Sequence, residues 1–149
     1  MAISKTFPLN KILPLINFGH LNFGENKVQE AVSKWTDIKK DFNNIKLHFV
    51  GKLQTNKVKY ALPLFDYIHS LDTIKLAEKI ANEQQKKNFK PKIFIQVNIG
   101  KEKTKSGIFP EDTKDFLFFL RQEMKLPIIG LMCIPPIDDD PGYHFNKLK

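Results

Sequence analysis

The residue in this sequence best placed for covalent chemistry is Lys5, which closes the short apolar run Ala2-Ile3-Ser4. A lysine projecting from the end of a rigid strand into the mouth of a sheet can present its amine to an aldehyde and form an imine. With 23 lysines in the chain, position alone does not separate Lys5 from an ordinary solvated charge. Other polar residues stand where further strands should end. Gly24 permits a sharp turn or the close approach of a ligand, and Asn26 can cap a helix or face the same mouth. His48 lies within an apolar alternation, which favours a satisfied core histidine over a metal ligand. His20, His69 and His144 share no ligand-like spacing with it, so no metal site is expected. Asn98 and the segment from Lys103 to Gly107 form a polar, basic loop that suits either an anion or solvent. No phosphate-binding P-loop, G-x-G-x-x-G turn or G-x-S-x-G elbow is present, which removes support for a nucleotide site of those kinds and for a serine hydrolase. A Schiff-base site is the sharpest chemistry the residues permit.

Such groups must be held by a scaffold, and the chain repeats one unit: a β-branched or aromatic run, a turn, then an amphipathic helix. Strands are expected at Ala2 to Ser4, Leu21 to Phe23, Lys46 to Val50, Tyr67 to Ser70, Lys92 to Asn98 and Ile128 to Cys133. The run from Ile93 to Val97 is apolar nearly throughout, as in a parallel sheet covered on both faces. Helical spacing of Val28, Ala31, Val32, Trp35 and Ile38 predicts a helix from Asn26 to about Lys40, opened by an Asn26/Gln29 capping box. Asp72 is expected to cap a second, with Ile74, Ala77, Ile80 and Ala81 facing inward until the polar run from Asn82 to Asn88 ends it. A third starts at Pro110, and Leu9, Ile12, Leu13 and Ile16 suggest a fourth, stopped by Gly19 and kinked or delayed by Pro14. The pattern is a parallel α/β fold, either an open sheet or part of a (β/α)8 barrel. Both place chemistry at the carboxyl ends of the strands.

At 149 residues the chain has room for one domain with a real core. No apolar stretch approaches the roughly 18 residues of a membrane span, and no signal-peptide core follows Met1. The single cysteine, Cys133, cannot form an internal disulfide, which points to the cytoplasm. The net charge of +8 raises the question of nucleic acid. We discount it: only Arg121 is arginine, the side chain best suited to phosphate and base contacts, and the lysines are scattered. Ile, Lys, Asn, Phe and Tyr, all with AT-rich codons, supply 66 of the 149 residues, so codon bias accounts for the charge.

Taken in order, several stretches resemble the YggS/PROSC-type pyridoxal 5′-phosphate homeostasis proteins. They are Ala2 to Pro8, Phe23 to Glu30 (FGENKVQE), His48 to Lys57 (HFVGKLQTNK), Ile68 to Asp72 (IHSLD), Ile95 to Gly107 (IQVNIGKEKTKSG) and Gly130 to Pro136 (GLMCIPP). The resemblance implies an alanine-racemase-like TIM barrel of fold type III that holds pyridoxal phosphate (PLP) as a Schiff base. The family lysine of the A-[VI]-S-K motif matches Lys5. Asn26 matches a polar residue near the cofactor, and Lys105 the lysine of the K-S-G segment. The implied role is buffering and delivery of PLP in the cytoplasm, to PLP-dependent apoenzymes among others, without established turnover and with no catalytic residue. The expected full-length state is a monomer, with no nucleic-acid or membrane partner. The alternatives are a PLP-dependent enzyme of alanine-racemase type and a non-functional gene fragment.

The resemblance departs from the family pattern at both ends. Family members carry an N-terminal helix before the Schiff-base lysine, and continue beyond the match to Pro136 through the S-M-G-M-S and R-[IV]-G segments that bind the cofactor phosphate. A complete barrel of this class also runs to about 200 residues or more. The expectation is therefore one incomplete barrel domain over 1–149, with about six of eight βα units and without the first helix and the phosphate-binding strands.

Overall fold

A computed structural model describes residues 1–149. All six expected strands form: β1 (Ala2–Ile3), β2 (Asn22–Glu25), β3 (Lys46–Phe49), β4 (Tyr67–Leu71), β5 (Lys92–Val97) and β6 (Ile128–Cys133). They make one parallel sheet in the order β1-β2-β3-β4-β5-β6. That order decides between the two candidate architectures. A doubly wound sheet reverses direction at a switch point, whereas strands added in sequence order place every connecting helix on one face and curve the sheet into a barrel wall. β1 and β6 are its two edges.

The connections carry α1 (Leu9–Asn17), α2 (Val28–Trp35), α3 (Ile38–Asp41), α4 (Val58–Ala61), α5 (Ile74–Lys87), α6 (Thr113–Gln122) and, after β6, α7 (Pro141–Leu148). Short 3-10 turns at Thr55–Lys57 and Pro110–Asp112 lead into α4 and α6. No helix is long and apolar enough to cross a membrane. Alternation along each strand sorts the side chains. Phe23, Leu47, Phe49, Ile68, Ile93 and Ile95 point outward under the helices. There they form one core with Ala31, Trp35, Ala61, Ala77, Ile80 and Leu120. The opposite phase lines the concave face: Ile3, Asn22, Gly24, His48, Tyr67, His69, Phe94 and Gly130. The accessible surface of 9047 Å² exceeds the roughly 7,800 Å² expected for a compact monomer of this mass, as an open concave face requires.

Four local expectations are corrected. The helix predicted from Asn26 to Lys40 is two pieces, because the Thr36 hydroxyl donates to the Val32 carbonyl at 2.7 Å and the chain turns before α3. Its capping box does not form: Lys27 occupies the N-cap and no side chain caps the helix. The next helix, α5, is capped by Thr73 rather than Asp72 and runs on through the polar segment to Lys87. Glu, Gln and Lys are good helix formers, Glu83 and Gln84 are buried, and Lys79 pairs with Glu83 at 3.1 Å. Asn88 then ends the helix in the left-handed conformation. Pro14 lies within α1, which nonetheless starts at Leu9, and Gly19 (φ 96°) terminates that segment as expected.

Candidate functional site at the carboxyl ends of the strands

At the end of β1, Ser4 continues the pairing with β2 by donating its N–H to the Gly24 carbonyl at 2.9 Å. Its hydroxyl points to the helix side, 2.8 Å from Glu25 Oε1, and Lys5 follows as the first corner residue of a turn. Lys5 is exposed, and its amine has no hydrogen-bond or ion-pair partner. Ser4 to Phe7 form a β-turn closed by the Phe7 N–H on the Ser4 carbonyl at 3.2 Å. Thr6 sits at its third position with φ 68°. That position of a type II turn ordinarily takes glycine, and a β-branched residue there is strained.

Beneath this turn lies a buried charge that sequence reasoning missed. Glu25, the last residue of β2, is fully buried. Its Oε1 accepts from Ser4 Oγ at 2.8 Å, from Lys34 Nζ at 2.9 Å and from Trp35 Nε1 at 3.0 Å, while Oε2 is buried without a partner. Lys34, on α2, also donates to the Ser4 carbonyl at 2.9 Å. A signal for this cluster did exist. Phe23 and Glu25 share the buried phase of β2, and a carboxylate on that phase needs donors.

Asn26 follows directly. It is half-buried and its side chain makes no hydrogen bond in the protein, while its carbonyl fills the space beside Gly51. A Cβ on Gly51 would overlap that oxygen and lie 2.8 Å from the carbonyl carbon. The expectation that Asn26 caps α2 thus fails. Its side-chain amide is left without a hydrogen-bond partner in the protein.

The third expected residue, Lys105, lies in the loop after β5. Asn98 organises this loop: its Oδ1 accepts from the Glu102 N–H at 3.1 Å and its Nδ2 donates to the Glu102 carbonyl at 2.8 Å. That amide is committed to bracing the loop rather than to an anion. Gly107 (φ 116°) packs so closely that a Cβ would lie 2.6 Å from the Asn98 nitrogen. Its N–H donates to Asp72 Oδ2 at 3.2 Å. Burial pushes the Asp72 carboxyl up, opposed by that hydrogen bond and by the Lys52 charge. The loop places Lys105, which pairs with Glu102 at 2.6 Å, at a cavity of about 250 Å³ with Gln96, Asn98, Ser106 and Ile134. Lys5 and Asn26 close adjacent strands; Lys105 stands on the far side of the wall, after β5.

His48 belongs to the concave face rather than to the apolar core. It is hydrogen-bonded at both nitrogens, to His69 and to Asn22, and stacks on Tyr67 at 4.3 Å. It is satisfied as expected, though by partners of the open face.

Residues 2–149 match the family model described as alanine racemase, N-terminal domain. The pyridoxal phosphate homeostasis protein of Aquifex aeolicus is 38% identical across the whole chain, which spans 66% of that relative's length, just under two thirds. Among solved structures, PipY of Synechococcus elongatus with PLP bound superposes with a TM-score of 0.83. It is 34% identical over 96% of this chain and 66% of its own. An alanine racemase of Clostridium difficile shares the fold (TM-score 0.74) at 11% identity over 99% of this chain and 38% of its own.

Proposed function

The chain belongs to the alanine racemase N-terminal domain family, in the branch of the pyridoxal phosphate homeostasis proteins, and from that premise we propose that it binds PLP through the Lys5 amine and takes part in buffering and delivering the cofactor. The observation that carries the reading is the unpartnered Lys5 amine on a fixed turn at the carboxyl edge of a barrel wall, in the fold and family of a protein solved with PLP bound. The donor set fits the group. Lys5 supplies an amine for the aldehyde, the unsatisfied Asn26 amide offers a hydrogen-bonding group one strand away, and Lys105 brings a cation on a braced loop.

When bound, PLP supplies a reactive aldehyde whose linkage to an amine is reversible by exchange with another amine. The residues present account for holding and release rather than turnover. In this reading Lys5 binds, Asn26 orients, and Lys105 offers a cation from the Asn98-braced loop across the wall. The recipients in this reading are PLP-dependent apoenzymes of the cytoplasm, and the full-length protein acts as a monomer without nucleic acid. One experiment tests it: add PLP, follow the visible absorption of an imine, reduce with borohydride and map the modified lysine. Labelling at Lys5 is expected. Labelling concentrated on any other lysine sinks the assignment.

A further inference from the structure

Every polar atom of Ser4 is engaged: its N–H with Gly24, its hydroxyl with Glu25 and the Gly24 carbonyl, and its own carbonyl with both Phe7 and Lys34. Ser4 and Glu25 each directly precede a proposed cofactor contact, Lys5 and Asn26. A single buried cluster therefore joins the ends of β1 and β2 at the peptides that carry those two side chains. We propose that the Glu25–Lys34 ion pair is a positioning device for the Lys5 amine, an inference that rests on reading Lys5 as the PLP lysine.

Two features argue for positioning over stability. Buried ion pairs are commonly replaceable by apolar side chains with no loss of stability, because desolvation offsets the attraction. This pair is especially poor as a stabiliser. Three donors converge on Glu25 Oε1 while Oε2 is buried with none, so the carboxylate is desolvated without being fully satisfied. What the arrangement supplies is geometry, since an ammonium can donate at once to a carboxylate and to a backbone carbonyl. Lys34 Nζ does so, 2.9 Å from Glu25 Oε1 and 2.9 Å from the Ser4 carbonyl. The second feature is the turn itself. Thr6 at φ 68° is strained, and a strained turn persists only where its surroundings over-determine it. The Ser4 carbonyl that closes the turn is the atom Lys34 grips. Released, the turn can relax and the Lys5 amine loses its fixed origin.

The test compares labelling of Lys5 with that of Lys114, an exposed lysine on α6, after PLP addition and borohydride reduction of the same folded molecules. The double variant Glu25→Gln/Lys34→Met removes the clamp without stranding a charge, since the introduced amide oxygen still accepts from Ser4 and Trp35. Folding is followed by a cooperative urea transition of the fluorescence of Trp35, the only tryptophan. The Lys5-to-Lys114 ratio should fall about tenfold, the equivalent of one charge-assisted hydrogen bond, while Lys34→Arg, which keeps a cationic donor, stays within about 1.5-fold of the parent. Ser4→Ala keeps both charges paired and removes the hydroxyl bridge alone; it should lower the ratio about threefold and stands in if the double variant does not fold. Parent labelling at Lys5 with an unchanged ratio in the folded variants overturns the positioning role and leaves the Lys5 assignment intact. Absence of Lys5 labelling in the parent overturns both.

Discussion

His48 Nδ1 and His69 Nε2 stand 3.0 Å apart across β3 and β4, and His48 Nε2 lies 3.1 Å from Asn22 Oδ1. Two imidazoles sharing one hydrogen bond cannot both carry a second proton without losing it. His69 also stacks on Phe94 at 4.4 Å, which shields it from water. Burial, then the neighbouring His48, pushes His69 down to about 4, and burial foremost lowers His48 as well.

The pH dependence follows from that depression. The unfolded chain protonates its histidines near pH 6.5, whereas folded His69 resists until about 4, so unfolding takes up a proton in between. The stability from the neutral pair is complete above about pH 6.5 and is lost as pH falls toward 4. At this half-open position solvent screening limits the loss to the order of 1–2 kcal/mol. Urea midpoints at pH 7.5 and pH 5 should differ accordingly, and His69→Gln should flatten the difference. An equal slope in the variant would show that the proton uptake lies elsewhere.

Gly51→Ala should be among the most damaging single methyl additions in this chain. The new Cβ would overlap the Asn26 carbonyl oxygen and lie 2.8 Å from the Asn26 Cα, both backbone atoms that no rotamer change can move. Separating the loop after β3 from the end of β2 also strains the bond from the Val50 N–H to the Glu25 carbonyl, now 2.8 Å. A loss of about 3 kcal/mol or more is expected in urea unfolding.

The six strands were legible because buried parallel strands are written as short β-branched and aromatic runs bounded by turns, and Ile93 to Val97 is the clearest of them. Strand order was not, since sequential and reversed orders use the same βα pattern. The turn after Ala2-Ile3-Ser4 could be anticipated where the first strand ends, but the buried cluster beneath it was hidden. Lys34 and Glu25 meet only when α2 packs back against β2. Asn26 was misassigned as a cap for a related reason: its carbonyl is pinned against Gly51 by tertiary contact, and the helix starts one residue later than local chemistry suggests.

Thr6→Gly should stabilise the chain. Relieving the positive φ of a β-branched residue recovers part of about 1–3 kcal/mol, and the added flexibility of glycine in the unfolded state takes some back, leaving about 0.5–1 kcal/mol. The Thr6 side chain is exposed and makes no hydrogen bond, so nothing else is lost. A lower melting temperature in the variant would mean that the turn is not strained.

Trp35 offers the sharpest energetic probe of the buried carboxylate. Its indole is fully buried, 5.0 Å from the Phe23 ring, and its Nε1 donates to Glu25 Oε1 at 3.0 Å. Trp35→Phe keeps an aromatic body but withdraws one of three donors from a charge that has no water to replace it. The expected cost is about 1–3 kcal/mol beyond the smaller ring's lost packing. A double-mutant cycle with Glu25→Gln separates those two parts. The neutral amide needs its donors less, so the Trp35 substitution should cost less in the Glu25→Gln background, with a coupling of about 0.5–3 kcal/mol. Urea unfolding of the four proteins, followed by circular dichroism because two of them lack the tryptophan, measures it. Additivity within about 0.5 kcal/mol would show that the indole is held by packing alone and that Lys34 and Ser4 carry the carboxylate.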